Sequence, residues 1–330
     1  MRTLDTVAVV GAGAWGTALA NAAALAGRRV LLWMRDPEMA AALAASRENA
    51  RRLPGILLHP SVEPTADATR LGEADATLLV VPAQVVRQVC GEIESRLRPG
   101  SPLVGCAKGI ERGTGLFMSE VVAEMRPGEP VGILSGPSFA PDVARGLPTA
   151  VTLACRDAVL AAQLAASLSG PSLRVYHGSD LRGVEIGGAA KNVLAIAAGI
   201  VAGRGLGESA RAALVARGFA ELMRFAAALG GRPETLMGLS GLGDLVLTCG
   251  SAQSRNFAFG IDLGRGLAPA AAGGGRLAEG VFTADALIGL ARASGVEMPI
   301  AEAVAAMLSG QLSVDEAFAA LMTRPLRSEV

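Results

Sequence analysis

Thr6-Val7-Ala8-Val9-Val10-Gly11-Ala12-Gly13-Ala14-Trp15-Gly16-Thr17-Ala18-Leu19-Ala20 reads as a buried strand, a glycine turn and a helix of small residues. The turn has the spacing G-x-G-x-x-G, and a second apolar run follows at Arg29–Trp33. Gly11 permits the tight turn, Gly13 lets the backbone approach a pyrophosphate, and Gly16 lets the helix pack against the strand. Phosphates at such a turn sit on free N–H groups at the helix start, where the dipole favours an anion. The strand, helix and second strand make a dinucleotide site the expectation here. The competing reading is a glycine turn in some other α/β protein.

At 330 residues the chain suits two domains, taking about 150 residues for each. Hydrophobic residues make up 51% and charged residues 18%, which favours a large core over disorder. Lys+Arg and Asp+Glu number 30 each. A net charge of zero argues against nucleic acid or an anionic membrane as the main partner. Cys90, Cys106, Cys155 and Cys249 are far apart and read as reduced core thiols of a cytoplasmic protein. With His59 and His177 alone, a histidine-rich metal site is excluded. No cationic-then-apolar leader pattern opens the chain. The longest apolar helix-like run, Val193–Gly203, reads as shorter than the ~20 residues that span a bilayer.

Strand patterns at Val7–Val10, Val30–Met34, Thr77–Val81, Leu103–Cys106, Val131–Leu134, Ala150–Ala154 and Leu173–Tyr176 alternate with helical stretches. The helical stretches are Trp15–Ala26, Pro37–Arg51, Gln84–Arg96, Leu116–Met125 and Ala158–Leu168. Arg51–Pro64, with three prolines, reads as a loop or irregular crossover. Such alternation predicts a mostly parallel sheet with helices on both faces. From about Asp180 only helices follow: Gly183–Gly203, Glu208–Leu229, Arg255–Leu263, Ala284–Ser294, Pro299–Leu308 and Val314–Leu321, the last with Ser313 as N-cap. Ala268–Gly275 reads as a mobile low-complexity loop. The expected fold is α/β: a Rossmann-type dinucleotide-binding domain over 1–180 and an all-helical substrate-binding domain over 181–330.

Ligands of an open parallel sheet bind beyond the carboxyl ends of its strands. Lys108 stands just past one such end, and Ser135-Gly136-Pro137-Ser138 turns another into a helix. At the end of the second strand, Arg35 favours a ribose 2′-phosphate and so NADPH, while Asp36 keeps NADH open.

Glu185–Ala198 is apolar nearly all round, yet Lys191 lies in its middle. Burial lowers a lysine's pKa, which suits it to proton transfer near neutrality. Asp244 is the one charge in a glycine-rich, apolar run and is the obvious partner for Lys191. Thr248 falls four residues later, on the same helix face. Ser254-Arg255-Asn256 at a helix start would make an oxyanion or phosphate clamp.

Together GAGAWGTALA, AKGIE, SGPSFA, GGAAKNVLAIAAG, GLSGLGDLVLTC, SRN and AEGVFTA resemble bacterial NAD(P)-dependent sn-glycerol-3-phosphate dehydrogenases along nearly the whole chain. The resemblance implies reversible reduction of dihydroxyacetone phosphate to sn-glycerol 3-phosphate for glycerophospholipid synthesis in the cytoplasm. It implies Lys191 as proton donor and acceptor, with Lys108, Gly136, Ser138, Asp244, Ser254, Arg255 and Asn256 around the substrate. Ala14, Trp15, Arg35, Lys108, Ala140, Arg255, Leu277 and Glu279 match the family's cofactor contacts. Ala14 stands where serine is common and Leu277 where valine is usual, which leaves cofactor affinity open. A homodimer is also implied, and no metal is required. The alternatives are a related two-domain reductase of another hydroxy acid or phosphate, and a non-catalytic dinucleotide sensor.

Overall fold

The structure, a computed structural model, describes residues 4–275 and 278–325. Its sheet is built from β1 (Thr6–Val10), β2 (Arg29–Trp33), β3 (Val62–Thr65), β4 (Ala76–Leu79), β5 (Leu103–Gly105), β6 (Val131–Ser135), β7 (Thr149–Cys155) and β8 (Leu173–Gly178). The spatial order is β3-β2-β1-β4-β5-β6-β7-β8, and every neighbouring pair is parallel except β6 with β7. Helices α1 (Ala14–Leu25), α2 (Pro37–Ser46), α3 (Val86–Ile93), α4 (Met118–Met125), α5 (Ala140–Ala144) and α6 (Ala158–Leu168) connect the strands.

Side chains alternate across a strand, so a sheet covered on both faces needs apolar residues in continuous runs. β1 shows this directly. Val7 and Val9 pack into a core with α1 and α6, whereas Ala8 and Val10 pack into a second core with α3 and α4.

Several local readings change. β3 begins inside the segment read as a loop or irregular crossover and ends one residue beyond it. It is a four-residue edge strand with Pro64 opposite Leu32, a place where a missing N–H is tolerated. The helix expected to run to Arg51 stops at Ser46, because Arg47 adopts a left-handed φ of 56°. From there its guanidinium donates to the carbonyls of His59 and Val62. The Ala268–Gly275 loop contains a short turn at Ala272–Gly275, where Gly273 N–H donates to Asp262 at 2.9 Å.

After β8 the described chain is helical: α7 (Leu181–Gly203), α8 (Glu208–Ala228), α9 (Pro233–Met237), α10 (Asp244–Cys249), α11 (Arg255–Gly264), α12 (Glu279–Ala293), α13 (Pro299–Leu308) and α14 (Val314–Met322). Ser313 caps α14 in a capping box with Glu316. Helix α12 begins five residues earlier than the pattern predicts, because Gly280 is not a break: it packs against the Asn192 carbonyl with no room for a side chain. Helix α7 corrects the apolar-run reading too. Its 23 residues are long and apolar enough to cross a membrane, but 89% of its most apolar window is buried inside the protein. It is the central helix of the second half, with α8, α10, α11 and α12 packed around it.

Candidate active site

The glycine turn joins β1 to α1. Gly11 has φ 112°, and a Cβ there would collide with the Val80 carbonyl. A Cβ on Gly16 would collide with the carbonyl of Gly11. Above Gly13 the space is open. Gly13 is the N-cap of α1 and offers no side-chain acceptor, and the first turn carries no acid. The first N–H groups of α1, beginning at Ala14 and Trp15, thus have no side-chain cap, the condition under which a helix start can hold an anion. Ala140 opens α5, which packs against α1.

Arg35 reaches Glu92 at 2.7 Å, and its side chain is 60% exposed. Asp36 spends one carboxylate oxygen on the backbone N–H groups of Glu38 and Met39 as the cap of α2. Glu279, the first residue of α12, has a buried Oε2 atom without a hydrogen-bond partner. Burial raises its pKa, with the Arg255 charge opposing. Leu277 lies outside the described residues.

The centre of the site is a carboxylate between two ammonium groups. Asp244 accepts from Lys191 Nζ at 2.5 Å through Oδ1 and from Lys108 Nζ at 2.7 Å through Oδ2. Lys191 also donates to Thr248 Oγ1 at 2.7 Å, and Lys108 to the Gly136 carbonyl at 2.9 Å. Ser138 Oγ donates to that same carbonyl. Lys191 is 5% exposed and Asp244 1%. Burial pulls the Lys191 pKa down to about 8; the Asp244 charge opposes the shift and the Lys108 charge adds to it.

Small residues bring these groups together. A Cβ on Gly187 would stand 2.5 Å from the Ser240 carbonyl, and one on Gly188 would stand 2.7 Å from Ser135 Oγ. Both α7 glycines thus let the β6 end and the turn before α10 press against the helix that carries Lys191. The spacing of Asp244 and Thr248 places both on the Lys191 side of α10, as their i,i+4 relation predicts.

Ser254 caps α11 by accepting from Phe257 N–H, and Arg255, the first helical residue, is exposed. Asn256 is buried, and its amide is engaged: it donates to Asn192 Oδ1 and accepts from Gly280 N–H, both at 2.9 Å. Asn192 Nδ2 in turn donates to the Lys108 carbonyl at 3.0 Å. Asn192 was not singled out in the sequence. The one available signal was a second polar side chain beside Lys191 on a helix with no polar face. Ser135 was missed as well; its Oγ is buried at the end of β6 with no partner.

All four cysteines are free and buried, and the Cys249 thiol is pushed up to about 12 by burial. Among the described residues, no group of three or more His, Cys, Asp or Glu side chains is placed to hold a metal.

Known proteins match both halves of the chain. Residues 6–161 match the family described as NAD-dependent glycerol-3-phosphate dehydrogenase N-terminus, and residues 180–319 match its C-terminus. The chain is 67% identical over 330 residues to a glycerol-3-phosphate dehydrogenase (NAD(P)+) of Methylobacterium radiotolerans, covering 100% of this chain and 99% of the relative. It is 64% identical to the protein of that name from Azorhizobium caulinodans, with both chains fully covered. Among solved structures it is similar to glycerol-3-phosphate dehydrogenase from Coxiella burnetii, with 37% identity, a TM-score of 0.92, and coverage of 97% of this chain and 99% of that one. The chain therefore belongs to the NAD-dependent glycerol-3-phosphate dehydrogenase family.

Proposed function

We propose that the chain interconverts dihydroxyacetone phosphate and sn-glycerol 3-phosphate with NAD(P)H or NAD(P)+ for glycerophospholipid synthesis, with Lys191 as its acid and base. When bound, the nicotinamide supplies and takes back the hydride at the substrate's central carbon. The chain would hold the cofactor's phosphates on the first turn of α1 and its adenosine end near Arg35, with Glu279 and Lys108 closer to the reacting end. The open space above Gly13 and the unpartnered Glu279 oxygen fit such a group.

One observation carries the reading: a buried ammonium fixed by a carboxylate and a hydroxyl. An ammonium has three donors. Lys191 uses two on Asp244 and Thr248, which leaves one N–H for the substrate oxygen. That N–H would pass its proton to the oxygen as negative charge develops there, and the neutral amine would take it back in the reverse direction. Lys108 likewise keeps one donor after Gly136 and Asp244, and would steady the same developing charge. Arg255 and the N–H groups at the start of α11 would clamp the phosphate, and that remote binding would orient the carbonyl.

The reading divides the chain into a nucleotide-binding unit over 1–180 and a substrate-binding unit over 181–330. It includes a cytoplasmic setting, in keeping with four unpaired buried thiols, and a homodimer, which sedimentation would test. The assay that tests it is oxidation of NADPH and of NADH on addition of dihydroxyacetone phosphate. Turnover of only an unphosphorylated or carboxylated substrate would contradict it.

A further inference from the structure

Helices α7 and α11 pack closely enough for backbone to touch backbone. A Cβ on Gly260 would overlap the Ile196 carbonyl and stand 3.0 Å from Gly199 Cα. On Gly264 it would overlap the Ile200 carbonyl and stand 3.0 Å from Gly203 Cα. In the other direction, Gly199 meets the Phe257 carbonyl and Gly203 the Ile261 carbonyl in the same way. Glycines four apart on both helices allow this approach. The contact runs in register. Asn192 faces Asn256 at an offset of 64 residues, and Ile196–Gly260 and Ile200–Gly264 keep that offset. The two helices are therefore parallel, with their active-site ends side by side. Lys191 immediately precedes Asn192, and Arg255 immediately precedes Asn256.

We propose that this glycine-lined contact is a ruler. It sets the span between the proton-donating lysine and the phosphate-binding start of α11, and so selects substrates in which one carbon separates the reacting carbonyl from the phosphate ester oxygen. The inference rests on the function proposed above. Because the rows of backbone atoms touch, no side chain can be trimmed to bring the helices closer, and any added methyl pushes them apart. Asn192 and Asn256 close the active-site end, so a sideways shift of α11 carries Arg255 and its neighbouring N–H groups away from Lys191. A displacement of about 1 Å is enough to cost a large factor in rate. Gly199, Gly203, Gly260 and Gly264 are thus positioning residues that touch no substrate.

The test compares wild-type enzyme, Gly260→Ala and Gly289→Ala with three substrates. The substrates are dihydroxyacetone phosphate, its homologue with one further methylene between carbonyl and phosphate, and phosphate-free dihydroxyacetone. Gly289 lies in α12 with open space where a Cβ would stand, so its variant controls for the change in helix propensity. The wild type should turn over the longer homologue at least about a hundredfold less efficiently than dihydroxyacetone phosphate. Gly260→Ala should lose at least about tenfold in kcat/KM for dihydroxyacetone phosphate, change less than about twofold for dihydroxyacetone, and narrow the preference against the homologue. Gly289→Ala should match wild type throughout. A wild type that accepts both phosphate lengths equally overturns the ruler. So does a Gly260→Ala enzyme that keeps full activity, or one that loses equally on phosphorylated and phosphate-free substrates. If Gly260→Ala does not fold, Gly203→Ala at the far end of the contact takes its place, and the wild-type comparison of the two lengths decides independently. A wild type inactive on dihydroxyacetone phosphate would overturn the functional reading, and the ruler with it.

Discussion

Asp244 meets Lys191 at 2.5 Å while its other oxygen meets Lys108 at 2.7 Å, so one carboxylate orients both cations of the site. Removing one partner of a buried pair leaves an uncompensated charge, which is far costlier than losing an exposed pair. The arrangement gives Lys191 a fixed direction, and burial gives it a pKa of about 8.

That pKa sets the pH dependence. In the proposed mechanism reduction draws on the ammonium, so kcat/KM for dihydroxyacetone phosphate should be high below about 8 and fall as pH rises through it. Oxidation of sn-glycerol 3-phosphate needs the free amine, and its kcat/KM should rise across the same range. Profiles in both directions check this; a reduction rate that climbs with pH in that range would count against Lys191 as the acid.

Arg255 opens α11 and is exposed, as a phosphate ligand at a helix start should be. Arg255→Ala should raise KM for dihydroxyacetone phosphate by about tenfold or more, the loss of a charge-assisted hydrogen bond. Kinetics with dihydroxyacetone should barely change. Equal effects on both substrates would contradict the clamp.

Arg35 is exposed and held by Glu92, at the end of the strand that follows the glycine turn. Arg35→Ala should weaken NADPH by about tenfold or more and NADH much less, since only NADPH offers a 2′-phosphate. Fluorescence titration of both cofactors measures it, and parallel losses would refute the assignment.

Glu221 accepts from the backbone N–H groups of Ile300 and Ala301 at the start of α13, and burial raises its pKa from 4.5 to about 7. The folded chain therefore keeps a proton that the unfolded chain releases above 4.5. The stability this provides is complete below 4.5 and is lost as pH rises through about 7. Gln cannot ionise, so Glu221→Gln should melt close to wild type at acid pH, gain on wild type as pH rises from 4.5 to about 7, and hold that margin at higher pH. A difference in melting temperature that does not change with pH would show that Glu221 keeps its ordinary pKa.

Much of the site was legible because its signals are local. A lysine inside an apolar helix has no water to reach, and Asp244 was the one charge in its segment, so their meeting needed no coordinates. Thr248 followed from helical spacing. What the sequence did not disclose depends on long-range register. No spacing rule joins Lys108 to Asp244 across 136 residues, or Asn192 to Asn256 across 64. β3 was hidden because Pro64 argues against a strand unless its edge position is known. The start of α12 was hidden because Gly280 looks like a breaker until the Asn192 carbonyl is seen against it.

The most direct measurement is turnover of dihydroxyacetone phosphate by Lys191→Ala, with NADPH affinity measured on the same preparation. Loss of the buried proton donor should lower the rate by at least ~10² while NADPH binds as in wild type. Unchanged turnover with cofactor bound would remove Lys191 from the chemistry and contradict the mechanism.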